Sequence, residues 1–490
     1  MTWWQHLEVD REEDLPLYRQ LFVQLRNCIE KEKVKPNSKL PPIRDLAEEV
    51  GVNPATIVRA YEELEEKKYI YKKVGSGSFV APEDSYKPAI REEGEESSLE
   101  MLGFGQLDLK GDINFASATP AASLFPVEDF KKAIDHVLER DRGEAFTYQR
   151  SQGFYPLRES IQDNFARRGL NIPLDEIQIV SGAQQAIDLI VKIMLDYGDR
   201  VITEDPTYPG AISAFSSRAA SIDRVELKED GMDLNKLESR LSSENYRMIY
   251  VMTSFQNPTG ICWSEEKKRD LVELAGKYDV NIIEDDCLSE LYYSGEPPRP
   301  LKSFDREGRV FYIKSFSKVF MPGLRLAFLT LPEKYQSRLL AAKHATDISS
   351  AGLTQRAMDF YLREELWDQH IERMRDLFGS RFNIMLELIE SELQPEVKLI
   401  CRPRGGIYFW LKLSNALKGE ELYQQSRQRG VAMLPGAVFS EGGKYKDYFR
   451  LSFAAVREEE IEEGIVRLAE TVSGRELGER QEDDGYLPLV

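Results

Sequence analysis

Lys318 stands in the string YIKSFSKVFMPGLRLAF, with Ser315 three residues before it and Arg325 seven after it. Asp285 lies thirty-three residues upstream in NIIEDDCLSELYY. These residue types suit carbonyl chemistry. A lysine kept from water and close to other cations loses proton affinity and becomes nucleophilic toward an aldehyde or ketone. A hydroxyl and a guanidinium complement a phosphate, and a carboxylate can keep a ring nitrogen protonated. Gly182, Ala183 and Gln184 in IVSGAQQAIDL fall where a strand-like run meets a helix start, so their backbone N–H groups and the helix dipole suit an anion.

The elements that must hold these groups follow from periodicity. Runs such as IQIV, RVITE, MIYVM, NIIED and RVFYIK alternate with amphipathic helices, among them Gln184 to Leu195, where Ala186, Leu189, Ile190, Ile193 and Met194 share a face. That pattern predicts an α/β domain with a mainly parallel sheet, its large part spanning about residues 150–340. Beyond about Leu340 come long helices between Thr354 and Leu393, then strands around GGIYFWLKL and YFRLSFA, which predict a smaller α+β subdomain. The α/β domain is bounded at residues 112–473, with an acidic, disordered tail at 474–490 and no internal repeat.

The N-terminal part reads differently. Residues 14–82 show helix, helix, turn, helix and hairpin. The first helix places Leu17, Leu21, Leu25, Cys28 and Ile29 on one face. The second, from about Pro41 to Val50, carries Ile43, Leu46, Ala47 and Val50 at helical spacing, and Gly51 ends it. Asn53 caps a third helix that begins at Pro54 and turns Ile57, Ala60, Tyr61 and Leu64 inward. YIYKKVGSGSFVAP then forms two short strands around Gly75, Ser76 and Gly77. Residues 83–111, with REEGEESSLE, read as a solvated linker.

The segment from PLYRQL to GSGSFV resembles the GntR-type winged helix almost end to end, on LPPIR before the second helix, GVNPATIVRAYEEL across the turn and third helix, and the GSGSFV wing. The resemblance implies a third helix in the major groove of double-stranded DNA, with Thr56 and Arg59 on its DNA side and Arg44 as a further contact. Lys72, Lys73, Gly75 and Gly77 are then expected near backbone or minor groove. Pro42 stands where a small polar residue is usual, which removes a phosphate-binding hydroxyl.

IVSGAQQAIDL, EDPTYPG, FQNPTG, NIIEDD and SFSKVFMPGLR occur in the order and spacing of fold type I aminotransferases, over about Asp112 to Glu470. That resemblance implies pyridoxal 5'-phosphate as cofactor. Lys318 would condense with its aldehyde and Asp285 would face its ring nitrogen. Tyr208 would stack on the ring and Asn257 would donate to its phenolic oxygen. Gly182, Ala183, Gln184, Ser315 and Arg325 would cradle the phosphate, and Tyr148 would reach the phosphate of a partner subunit in a homodimer. Arg450 in YFRLSFA would fork a substrate or effector carboxylate. Two positions depart from the family pattern. Cys287 and Leu288 occupy the place of a tyrosine near Asp285, and Ala118 replaces a glycine in ASATP. The two halves together resemble the MocR family of bacterial regulators, which implies a DNA-binding regulator responsive to an amino compound or to the cofactor. A working aminotransferase carrying a DNA-binding domain is the alternative.

Composition narrows the classes. No uncharged apolar run approaches the length of a membrane helix, and the N-terminus lacks a basic start and apolar stretch, so the cytoplasm is the expected compartment. Four cysteines and four histidines are scattered without metal-ligand spacing, so no metal site is expected. The net charge of −19, and 13 Lys and Arg against 16 Asp and Glu in residues 1–85, leave DNA contact to locally clustered bases.

Overall fold

The computed structural model describes residues 9, 17–30, 34–35, 38–66, 69–73, 77–81, 113–440 and 443–474. The linker at 83–111, Gly75, the Lys73 side chain and the tail beyond Gly474 lie outside the described residues. The chain divides into two compact units, Met1–Ser97 and Ser98–Val490.

In the first unit, helices Leu17–Glu30, Ile43–Val50 and Pro54–Glu66 enclose Leu21, Phe22, Leu25, Ile29, Leu46, Ile57, Ala60, Tyr61 and Leu64. Gly51 ends the second helix in the left-handed region at φ 71°, and its N–H returns to the Ala47 carbonyl. The Asn53 side chain accepts from the Ala55 N–H at 2.9 Å, which caps the third helix. Strands Ile70–Lys73 and Gly77–Val80 form an antiparallel hairpin with Ile70 opposite Val80. Residues 38–40 run beside this hairpin: Leu40 N–H donates to the Ser78 carbonyl and Val80 N–H to the Ser38 carbonyl, each at 2.9 Å. Tyr61 ties helix to loop by donating to the Pro41 carbonyl at 2.9 Å.

The second unit is built on an eight-stranded sheet. Its spatial order is Ile177–Val180, Ala327–Thr330, Val310–Ser315, Asn281–Asp286, Met248–Val251, Arg200–Asp205, Ser221–Lys228 and Gly231–Met232. Neighbouring pairs from Val310–Ser315 through to Ser221–Lys228 are parallel, whereas Ala327–Thr330 is antiparallel to both of its neighbours. Strands such as MIYV and VFYIKS are buried along their whole length, as expected for a sheet covered on both faces. In open α/β sheets of this kind, sites form beyond the carboxyl ends of the strands.

A second, antiparallel sheet joins Val397–Leu399, Tyr408–Leu413, Tyr448–Ser452 and Leu434–Pro435. Ile113–Asn114 pairs with Val431–Ala432, so the start of the unit is stitched to its far end. The helical stretch expected between Thr354 and Leu393 is two helices, Gly352–Arg363 and Leu366–Glu392. Glu365 separates them at φ 56°, a left-handed conformation that interrupts the helical ladder.

Asp286 belongs to the architecture rather than to the site. The Lys314 ammonium, itself fully buried, donates to Asp286 Oδ1 at 3.1 Å, Glu290 Oε2 at 2.6 Å and Ser289 Oγ at 3.0 Å. Tyr312 donates to Asp286 Oδ2 at 2.7 Å. Burial alone would raise the Asp286 pKa, but Lys314 and these hydroxyls hold it below the ordinary carboxylate range. Removing the cation leaves buried Asp286 with hydroxyl donors alone and Glu290 with only Arg168, at 3.3 Å, so Lys314→Met is expected to cost about 3 to 5 kcal/mol. Denaturant unfolding of the full chain at neutral pH checks this, and an unchanged midpoint contradicts it.

Candidate functional site

At the carboxyl end of strand Asn281–Asp286, the Asp285 carboxyl is 3% exposed. Tyr250, two strand positions before the end of MIYVM, donates to Asp285 Oδ2 at 2.7 Å. Oδ1 is buried with no hydrogen-bond partner among the described residues. Burial pushes the Asp285 pKa up to about 6, against the opposing pull of the Tyr250 hydroxyl and the nearby Lys314 and Lys318 cations. A bare carboxylate oxygen in a dry site is costly unless a donor arrives. A protonated ring nitrogen is such a donor.

Lys318 follows strand Val310–Ser315 in the turn that leads to Arg325, and is half-buried. Burial pulls its pKa down to about 8. The Cys287 thiol and Asp285 work against this, and Arg450 adds to it. A larger share of the amine is therefore neutral near physiological pH than for an ordinary lysine, as a nucleophile requires.

The segment expected to cradle an anion turns on a glycine. Gly182 lies between strand Ile177–Val180 and helix Ala183–Met194, at φ 107°. A Cβ there would stand 2.7 Å from Arg325 Nη2, which donates to the Ser181 carbonyl at 2.8 Å. The backbone angle favours glycine, and a side chain here would also have to displace the Arg325 guanidinium. The first N–H groups of the helix, at Ala183 and Gln184, have no acceptor within it. Arg325 itself sits at φ 50° and is exposed beside this terminus. Ser315 is buried, and its hydroxyl accepts from the Ser317 N–H at 3.3 Å.

Tyr208 begins helix Pro209–Ser216 and lies within electrostatic reach of Asp285, Cys287 and Arg325, with its phenol pushed up to about 12 by burial. Its hydroxyl reaches Gln184 Oε1 at 3.4 Å, while Gln184 Nε2 donates to the Gly210 carbonyl at 2.8 Å. Gly210 again leaves no room for a side chain, since a Cβ would meet both residues within 2.5 Å.

Arg450 crosses from the smaller sheet. It is 3% exposed, with Nη1 donating to Asn257 Oδ1 at 2.9 Å and Nη2 to the Ala116 carbonyl at 2.5 Å. Its guanidinium carbon lies 4.8 Å from the Tyr408 ring centre and 5.3 Å from that of Phe439. Burial pulls the Arg450 pKa down to about 10. Because arginine only donates, Asn257 presents its oxygen to it and keeps its amide N–H groups for another acceptor. The fork expected to meet a carboxylate is thus engaged by protein groups in this structure. Tyr148 is not brought to the other site residues: its side chain is 84% exposed. Ala118, in place of the usual glycine, is buried.

Sequence patterning missed Tyr250 and Tyr408. Both sit in largely buried strand runs, where an aromatic reads as core, and nothing in the pattern reveals where a hydroxyl ends.

In the N-terminal unit, Arg44 and Arg59 are exposed and Thr56 is half-buried. The Arg59 guanidinium carbon lies 4.0 Å from the ring centre of Tyr18, on the first helix. Lys72 pairs with Glu65, and Gly77 is exposed at the start of its strand.

A mainly parallel sheet with a lysine, a dry carboxyl and a glycine at a helix start gathered beyond its strand ends is the arrangement of the aminotransferase class of fold. Residues 110–468 match the family Aminotransferase class I and II, and residues 17–80 match the bacterial regulatory proteins, gntR family. The chain belongs to the aminotransferase class I and II family and carries a gntR-family domain ahead of it. It is 34% identical to aromatic-amino-acid aminotransferase 1 of Thermococcus litoralis, over 74% of this chain and 88% of that one. The HTH-type transcriptional regulator YdcR of Escherichia coli is 31% identical over 94% of this chain and 99% of its own. The crystal structure of alpha-aminoadipate aminotransferase from Thermus thermophilus superposes with a TM-score of 0.70 at 33% identity, covering 78% of this chain and 99% of that one.

The raised Asp285 pKa has a stability consequence. Between the ordinary carboxylate range and about pH 6 the folded chain holds a proton that the unfolded chain has released, so stability falls as pH rises through that window. Asp285→Asn is therefore expected to stabilise the cofactor-free protein above pH 6, on the order of 2 kcal/mol, with the gain vanishing near pH 4. Thermal melting across pH 4 to 8 measures it; a destabilised variant at pH 8 contradicts the account.

Proposed function

We propose that the chain is a DNA-binding transcriptional regulator whose aminotransferase-type unit binds pyridoxal 5'-phosphate and responds to an amino compound. The observation that carries the cofactor is the pairing of a half-buried Lys318 with an Asp285 oxygen that has no protein donor. Lys318 would hold the aldehyde, Asp285 the ring nitrogen, and Asn257 the phenolic oxygen. Tyr208 would lie against the ring. Gly182, Ala183, Gln184, Ser315 and Arg325 would hold the phosphate. When bound, the cofactor supplies an electron-withdrawing ring; the chain's own part is to hold it, keep water out and set the protonation of Lys318 and Asp285. Arg450 would take the carboxylate of an amino acid once a ligand competes for its engaged nitrogens.

The relative spanning nearly the full chain is named a transcriptional regulator, which supports the regulatory reading over a purely metabolic one. Arg44 and Arg59 are exposed on the second and third helices, as base and phosphate contacts require. A homodimer with shared sites gives the exposed Tyr148 and the neighbouring Phe146, 69% exposed, a partner surface to meet. Lys318 would hold the cofactor, and its release when an amino compound binds would be a local change able to bias a two-state arrangement and hence operator affinity.

A working aminotransferase is the second reading, favoured by the full set of Lys318, Asp285, Asn257 and Arg450 and by the name of the Thermococcus litoralis relative. One experiment separates the two. Full-length protein reconstituted with pyridoxal phosphate is scanned through the near-ultraviolet and visible during titration with a panel of amino acids, with Lys318→Ala as control. A band that shifts and stays shifted supports the sensor. A band that fades and is restored by a keto acid supports turnover. No band distinguishing wild type from Lys318→Ala defeats both.

DNA reading is tested separately. Arg59→Ala is expected to weaken binding to duplexes selected from a random pool by the wild-type chain, by about 1 to 3 kcal/mol, with an unchanged far-ultraviolet circular dichroism spectrum. Equal gel-shift affinity for the two proteins contradicts this assignment.

A further inference from the structure

Tyr408 opens strand Tyr408–Leu413 of the smaller sheet, opposite Ser452. Its side chain is 1% exposed, yet the hydroxyl has no hydrogen-bond partner among the described residues. The ring lies under the Arg450 guanidinium, and the hydroxyl is within electrostatic reach of Arg450, Cys287, Tyr208 and Asp285. A phenol buried without a partner forfeits a hydrogen bond it would make in water, and buried tyrosines usually find one.

The groups around it indicate what is missing. Asn257 gives its oxygen to Arg450, which leaves its amide N–H groups for another acceptor. Arg450 Nε is buried and unpartnered. The Tyr408 phenol is raised well above its ordinary pKa, mainly by burial, so it stays protonated and can donate. The Tyr408 hydroxyl and Arg450 Nε, both carried by the smaller sheet, therefore have no acceptor among the described residues, and Asn257, from the turn after strand Met248–Val251, is bonded to the same guanidinium. The bare Asp285 oxygen is the nearest acceptor by charge, but it is not within hydrogen-bond distance of the phenol. A donor-rich, dry pocket accommodates an anion.

We infer that Tyr408 donates its hydroxyl to an anionic oxygen bound in this site, either the ionised phenolic oxygen of pyridoxal phosphate or the carboxylate of the amino compound beside it. The inference rests on the cofactor reading above. Tyr408 is thereby a ligand-contacting residue delivered by the smaller sheet. It places a phenol in a site where the strand carrying Asp285 offers only the Cys287 thiol and the Leu288 side chain, both buried.

Tyr408→Phe removes one oxygen and keeps the ring beneath Arg450. In the cofactor-free full chain the melting temperature is expected to stay the same or rise, because no intramolecular hydrogen bond is lost. A fall would show the hydroxyl bonded within the protein and overturn the proposal. In the cofactor-loaded chain without amino compound, loss of a donor to the phenolic oxygen raises the midpoint of the pH titration of the visible band by about one unit. The titrating and charged groups facing that band are Lys318, Asp285, Cys287, Tyr208 and Arg450, all retained in the variant. If the oxygen instead belongs to the ligand, the midpoint stays and the apparent Kd for a responding amino acid rises roughly tenfold. The Kd for the same molecule lacking its carboxylate is then unaffected. An unchanged midpoint together with unchanged affinities overturns the proposal while leaving the cofactor reading intact. A wild-type chain that shows no visible band overturns both.

Discussion

Water is excluded from the carboxyl ends of three adjacent strands, and the acids placed there must each be satisfied from within. Glu204 accepts from the Met252 N–H and the Trp263 indole and is still pushed up to about 8 by burial. Glu284 takes the Leu301 and Lys302 N–H groups and the Thr253 hydroxyl. Asp286 has Lys314 and two hydroxyls. Asp285 alone is left half-served, with Tyr250 on one oxygen and nothing on the other. The contrast is informative because the other three show how thoroughly this fold can satisfy a buried acid. An acid that the fold leaves unsatisfied is the one that the proposed ligand would complete.

The same economy of partners runs through the rest of the site. Arg325 is fixed by a carbonyl, Arg450 by a carbonyl and an amide oxygen, and Gln184 by the backbone of Gly210. Each cation or amide is held in orientation by an acceptor that a stronger, charged ligand oxygen could outcompete. The arrangement is preorganised, since binding exchanges partners instead of ordering mobile side chains. In the N-terminal unit the stack of Arg59 on Tyr18 has a comparable effect: a long side chain is given a preferred direction by an aromatic face on another helix.

Much of this was legible in the sequence because it depends on local rules. Gly51 and Asn53 end one helix and start the next by backbone geometry and a single side-chain bond, and both behave as their residue types demand. The all-apolar strands and the glycine at the cradle were equally plain. What stayed hidden was set by tertiary contact. Periodicity gives the face of a strand but not the end of a side chain, so Tyr250 and Tyr408 looked like core residues. Asp286, next to the assigned Asp285, had no role that the pattern could give it, because its partner Lys314 lies in the adjacent strand. The break at Glu365 has no glycine or proline to mark it, and the edge contact of residues 38–40 with the wing depends on partners forty residues on. The engagement of Arg450 by Asn257 and Ala116 joins positions 193 and 334 residues apart, beyond any local signal.

Gly182 and Arg325 constrain one another across 143 positions of chain, one by having no side chain and the other by filling the space that results. A side chain at position 182 would have to take up a left-handed backbone and push the Arg325 guanidinium off the Ser181 carbonyl. In descendants of this protein the two sites should therefore be inherited as a unit. A lineage that abandons the phosphate ligand proposed for this pair would be released from both restraints at once, so the state of the pair would sort copies still under selection for that ligand from those keeping the fold only as a scaffold.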